Sequence, residues 1–196
     1  MVSISVICLL EASEHKQKGG TMSQWLKVLV LLVLTGGAQA NMTLAQQVLE
    51  QPEVVGKARL TVLLFKVYDA TLYAPKGQFH PDKPFVLSLR YLRALEGNKI
   101  AQRSVEEMRK QGYTNEKNLA LWQRQMASIF PDVQAGSELT AVRTSAGEAV
   151  FYRGLERIGQ VKDAAFTQQF FNIWLGTKSS EPEMRKQLLS QHGQKR

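Results

Sequence analysis

The stretch Phe65–Pro75, FKVYDATLYAP, reads as a β-strand. Its side chains alternate between two faces, with Tyr68, Ala70 and Leu72 on one and Val67, Asp69, Thr71 and Tyr73 on the other. Both faces mix apolar and hydrogen-bonding groups. A strand that only fills a core has no need of that mixture, whereas one flooring a ligand cleft does. A second block, Trp174–Leu189, WLGTKSSEPEMRKQLL, predicts the end of one amphipathic helix and the start of another, with Ser180 and Glu183 as a capping box.

Outward from the first stretch, a short leader (Thr43–Glu50) precedes strand-like text from Val54 to Tyr73, with Gly56 and the Phe65-Lys66 region as candidate bends. Pro75–Pro84, holding Gly77 and Pro81, reads as a loop, and Phe85–Leu92, FVLSLRYL, as another strand. Asn98 is the expected N-cap of a helix with Ala101, Val105 and Met108 as its apolar stripe, stopped at Gly112. A second helix begins near Asn115 and carries Trp122, Met126 and Ile129 up to Pro131. Short strands follow at Glu138–Thr144, Glu148–Arg153 and Arg157–Val161, the first two joined through Ser145, Ala146 and Gly147. Asp163 can cap a helix whose buried face holds Phe166, Phe170, Ile173 and Trp174, and a last helix runs from Ser180 to about His192. This order predicts an α+β domain with helices on one face of a mainly antiparallel sheet.

The N-terminus reads differently. From Met22 the chain runs MSQWLKVLVLLVLTGGAQA, with Lys27 as a basic n-region, Val28–Leu34 as an apolar core and Ala38-Gln39-Ala40 as a cleavage site. Residues 22–40 are therefore expected to be a signal peptide, and residues 1–21 an upstream extension from a misplaced start. The apolar run is far shorter than the roughly 20 residues of a membrane span, so no retained anchor is expected. The mature chain would begin at Asn41, form one domain over 41–196 and lie in a bacterial periplasm.

Composition narrows the chemistry. Lys and Arg number 25 against 17 acids, giving +8, and removal of residues 1–40 leaves +7. The charge is spread along the chain, with only Lys195-Arg196 dense, so a solvated basic surface is the plainer reading and no nucleic acid partner is expected. The only cysteine, Cys8, precedes the expected cleavage site, so the domain holds no disulfide or thiolate metal site. No nucleophile elbow, phosphate-binding glycine loop or zinc-protease motif is present. His80 and His192 lack metal-spaced partners, Glu106 and Glu107 read as solvent charges between Arg103 and Arg109, and the aromatic residues Phe166, Phe170 and Trp174 read as core. Neither a metal nor a cofactor is expected. What remains is Arg59, set among Ala58, Leu60, Val62, Leu63 and Leu64, with Tyr68 and Tyr73 on the next run. Facing one cleft, they would clamp a carboxylate, since Arg presents a planar fork of donors. The plainer alternative is an edge Arg reaching water and tyrosines filling core.

The segments VGKARLTVLLFKVYDATLYAP, PFVLSLRYLRALEGNKIAQRSVEEMRK, FYRGLERIG and FFNIWLGTKSSEPEMRKQLL, taken in order, resemble the bacterial branch of the chalcone isomerase-like proteins over roughly residues 52–190. The resemblance implies an open-faced β-sandwich, an antiparallel sheet covered by helices with a cleft between the layers. Its members include enzymes that close a flavanone ring and non-catalytic proteins that hold a fatty-acid carboxylate with an Arg and a Tyr. On this chain those fall on Arg59 and Tyr68. The enzymes' later Tyr and Asn fall near Ile100 and Glu107 when the family's glycine is placed on Gly97, and a polar pocket position falls near Ile173. Apolar groups at Ile100 and Ile173 and a carboxylate at Glu107 do not suit flavanone chemistry. The resemblance thus implies an exported, non-catalytic protein for a fatty acid or similar apolar anion. An isomerase or lyase of unknown substrate, and an interaction protein with a vestigial cleft, are the alternatives. The sequence names no protein partner.

Overall fold

A computed structural model of the chain describes residues 44–190. The expected signal peptide, the expected mature N-terminus and His192 lie outside the described residues. Six strands form one sheet: β1 (Pro52–Val62), β2 (Phe65–Pro75), β3 (Phe85–Tyr91), β4 (Glu138–Arg143), β5 (Ala149–Arg153) and β6 (Glu156–Val161). They lie side by side in chain order, and every pair is antiparallel. Four helices accompany them: α1 (Gly97–Lys110), α2 (Glu116–Ile129), α3 (Ala164–Leu175) and α4 (Pro182–Leu189). The fold is α+β, and none of the described helices is long and apolar enough to cross a membrane.

The period-two pattern decides which side each strand residue serves. Ala70, Leu72, Leu87, Leu89, Ala141 and Phe151 point to the helices and share one core with Val105, Trp122, Met126, Phe166, Phe170 and Leu188. Tyr73, Val86, Val142 and Val150 point the other way, where a helical turn at residues 44–48 supplies Ala45, followed by Leu49, to cover them. Both faces are therefore apolar near the middle of the sheet, which accounts for the mixed character of FKVYDATLYAP.

Two of the expected caps are in place. The Asn115 side chain accepts the Asn118 N–H at 3.1 Å at the start of α2. Asp163 accepts the N–H groups of Ala165 and Phe166 at the start of α3, and its other oxygen takes the Trp122 indole N–H at 2.9 Å. One carboxylate thus caps a helix and satisfies the polar edge of a fully buried tryptophan.

Three expectations are corrected. The bend between β1 and β2 is at Leu63-Leu64, not at Phe65-Lys66, and both leucines are left-handed, with φ of 47° and 72°. No turn residue marks the place. Helix α1 is capped at Glu96 rather than Asn98, because Gly97 packs against the end of α2, where a Cβ would lie 2.1 Å from the Phe130 carbonyl oxygen. The Gly97 N–H is taken instead by Asp132 at 2.8 Å. The capping box at Ser180 does not form, since Glu181 is the N-cap of α4 and the Ser180 hydroxyl is engaged elsewhere.

Candidate functional site: a cavity between sheet and helices

Sheet and helices part to leave a cavity of about 460 Å³. Sites for small organic ligands run from about 300 to 1,000 Å³. At one end the walls are apolar, with Leu87, Ala141 and Phe151 from the sheet, Phe130 from the end of α2 and Phe170 from α3. The Phe151 ring meets those of Phe130 and Phe170 edge-on, with centroids 5.0 and 5.2 Å apart, so this end is stiff. Polar side chains of the lining, Tyr68, Tyr91, Lys99, Arg103, Glu107 and Ser180, cluster at the other end, beside Leu60, Val62 and Val67. Val62, Lys99 and Arg103 line the cavity and are also exposed, so the mouth lies at this end.

The two phenols are held as neutral donors. The Trp174 indole N–H donates to the Tyr68 oxygen at 2.9 Å, leaving the Tyr68 proton for whatever enters the cavity. Tyr91 packs edge-on against Tyr68, with centroids 5.8 Å apart, and its hydroxyl makes no hydrogen bond among the described residues. Burial pushes the Tyr68 hydroxyl well above the ordinary phenol range, against the smaller opposing effect of the Trp174 N–H. Burial does the same to Tyr91. Both are protonated at any physiological pH.

Glu107 is the unexpected member. Ile100, Ser104 and Glu107 recur on one face of α1, which turns the carboxylate inward with only 7 % of its side chain exposed. Arg103, one turn earlier, reaches it at 2.7 Å, and Lys110, one turn later, at 3.1 Å. The Ser180 hydroxyl donates to its other oxygen. Burial raises the Glu107 pKa, but the hydroxyl and the two cations outweigh it and hold the carboxyl below its ordinary value. A buried charge so compensated is tolerated, and loss of any one partner exposes the desolvation cost. Lys99 is different, since among the described residues no carboxylate pairs with it.

A family model described as chalcone isomerase-like matches residues 42–190, which spans all of the described residues. The chain belongs to the chalcone isomerase-like family. A crystal structure titled as an Arabidopsis thaliana fatty-acid binding protein shares the fold at a TM-score of 0.56, with 11% sequence identity, over 71% of this chain and 87% of that one. Among curated proteins, none matches the chain significantly.

In this chalcone isomerase-like protein, Tyr68, Ile100 and Ile173 line the cavity together. Arg59 does not. It stands directly opposite Asp69 on β2, which stands opposite Arg90 on β3 and that opposite Glu138 on β4. Directly opposed residues share a face, so these four form a ladder of alternating charge on the side of the sheet away from the cavity. The Arg59 guanidinium forks onto the Asp69 carboxylate, with one contact at 2.9 Å, and Asp69 holds its pKa above the ordinary value. Tyr73 lies on the same far side, buried with Leu49 and Val86. The expected clamp of Arg59, Tyr68 and Tyr73 on one cleft is thus corrected by the sheet's parity. For Glu107 the solvent-charge reading is corrected, since it lines the cavity where the family resemblance had placed it, while Glu106 keeps its exposed i,i+3 pairing with Arg103. Phe170 and Trp174 are core and cavity wall at once. The structure adds Tyr91, Lys99, Arg103 and Ser180 to the site. Tyr91 shares the strand parity of Leu87 and Leu89, and Arg103 and Lys99 lie one turn apart on α1, whereas Ser180 comes from the loop before α4 and carries no local signal.

Proposed function

We propose that the protein is a non-catalytic carrier or receptor for an apolar, amphipathic ligand, with a fatty acid or a similar apolar anion as the class it fits best. The observation that carries the reading is the polarity gradient of the cavity, aromatic and aliphatic at one end and donor-rich at the other. An acyl chain gains about 0.8 kcal/mol for each methylene it removes from water. Its head would meet the Tyr68 and Tyr91 hydroxyls and the Lys99 ammonium, in place of the Arg59 clamp that the sequence suggested. The fatty-acid binding protein with the same fold supports the ligand class, although its sequence has diverged widely. The non-catalytic reading rests on protonation. Two phenols raised above their usual range and a carboxyl held below its own leave these cavity groups away from the near-neutral pKa that general acid–base work requires. Export to the periplasm belongs to the same reading and rests on residues 22–40.

Native mass spectrometry of the chain, purified from its host without detergent, tests both parts in one measurement. The expected spectrum shows a protein beginning at Asn41 with a co-purifying fatty acid, released on collisional activation. A mass beginning at Met1 overturns the export reading alone. Failure to retain palmitate, even after incubation with it, overturns the ligand.

Arg59→Ala is expected to leave palmitate affinity unchanged in a displacement titration, because its side chain lies on the other face of the sheet and ends in an exposed ion pair. A clear loss would return Arg59 to the site.

A further inference from the structure

We infer that the tip of the β1–β2 hairpin is a docking element for an anionic lipid bilayer. Four successive apolar residues crown it: Val62 is 47 % exposed, Leu63 86 %, Leu64 96 % and Phe65 64 %. These include the most exposed large hydrophobic side chains among the described residues, and they stand together at one projecting point. The turn is built against local preference. A two-residue hairpin turn with both central residues at positive φ favours Asn-Gly, and this chain places Leu-Leu there. Side chains so exposed make little packing within the fold to offset that strain, so the reason for keeping them lies outside the chain.

Charge complementarity selects the partner. Lys66 follows Phe65 directly, and the Arg93 guanidinium sits over the Phe65 ring, 5.7 Å from its centroid. Among the described residues no carboxylate pairs with Lys66 or Arg93. Lys99 and Arg103 lie at the adjoining cavity mouth, with Glu107 and Glu181 beside them, and of these cations only Arg103 is engaged by a carboxylate. Apolar side chains at a point, ringed by free cations, match acyl chains beneath anionic headgroups. A protein-binding hot spot would favour Trp, Tyr and Arg at its centre instead. Val62 also lines the cavity, so a bilayer meeting the tip meets the cavity mouth. The inference does not rest on the identity of the cavity's ligand.

The test is flotation of the purified chain with vesicles of phosphatidylcholine mixed with phosphatidylglycerol, and with vesicles of phosphatidylcholine alone. The deciding variant is Leu63→Asn combined with Leu64→Gly, which installs the preferred turn and so holds or raises the melting temperature. It should bind the anionic vesicles at least about 30-fold more weakly than the parent chain, as loss of two inserted leucines requires. Lys66→Gln and Arg93→Gln should each weaken anionic binding about fivefold and leave binding to phosphatidylcholine unchanged. In Leu64→Trp, the tip indole should shift its emission to the blue on adding anionic vesicles. Because Val28–Leu34 is itself apolar, only the difference between otherwise identical chains bears on the tip. Equal flotation of parent and Asn-Gly variant overturns the inference, as does tip-dependent self-association in sedimentation without vesicle binding.

Discussion

Ala141→Phe is expected to weaken fatty-acid binding on the order of 100-fold while the protein stays folded. Ala141 lies in register between Leu87 on β3 and Phe151 on β5, and all three line the cavity. A methyl group there leaves space that the neighbouring side chains do not fill. A benzyl group would occupy it, packing against Phe151 and Phe170, and would exclude about four methylenes of an acyl chain. At about 0.8 kcal/mol per methylene the loss is about 3 kcal/mol, or on the order of 100-fold in affinity. In a well-packed core the same change would cost stability through overcrowding. Here the cavity absorbs the ring, so the melting temperature should hold. Ile173→Trp, from the half-buried wall on α3, should act in the same direction by a different route. Displacement of a fluorescent fatty-acid analogue by palmitate measures both. If both variants fold and bind palmitate as the parent does, the ligand occupies another place and the proposed function loses its site.

Much of the architecture was legible in the sequence, because strand alternation, helical stripes and two strong caps all report local chemistry. Asn115 and Asp163 announce their helices, and Trp122, Met126 and Phe166 fall at the spacing of a buried face. The cavity was harder to read, because it depends on which side of the sheet the helices choose. Ala58-Arg59-Leu60-Thr61-Val62 already places Arg59 with Thr61 and opposite Leu60 and Val62, so the parity that removes Arg59 from the cleft was present in the text. What the text lacked was the Arg59–Asp69 register, set by irregular pairing between Leu60 and Thr61 and by a turn with no turn residue. The pattern around Glu107 misleads for a different reason. Its basic neighbours at i−4 and i+3 look the same on a solvated helix face as around a buried carboxylate. Only the long-range arrival of Ser180, 73 residues later, distinguishes the two, and that same contact draws Ser180 away from the capping box its sequence suggests.

Gly56→Ala should destabilise the protein more than any change at the cavity, through a contact that has nothing to do with glycine's backbone freedom. Gly56 is buried in β1 at an irregularity in its pairing with β2, where α4 crosses the strand. A Cβ there would lie 2.2 Å from the Leu188 carbonyl oxygen and 2.4 Å from that of Gln187. Both obstacles are backbone, so no rotamer change relieves them and α4 must lift from the sheet. Lifting it exposes Leu188, which is fully buried, and Met184, which is 5 % exposed and closes one wall of the cavity. Truncating one fully packed leucine to alanine costs about 2–5 kcal/mol, and displacing the whole helix should cost no less than about 3. The methyl group returns about 0.4–1 kcal/mol by restricting the unfolded chain, too little to compensate. For a domain of this size each kcal/mol moves the melting temperature by about 2–4 °C, so a fall of roughly 10 °C is expected. Limited proteolysis distinguishes undocking from general weakening: cleavage should appear first between α3 and α4, below the temperature at which the sheet melts. A variant that melts with the parent and resists protease there would mean that α4 is held less closely to β1 than the Gly56 contact implies.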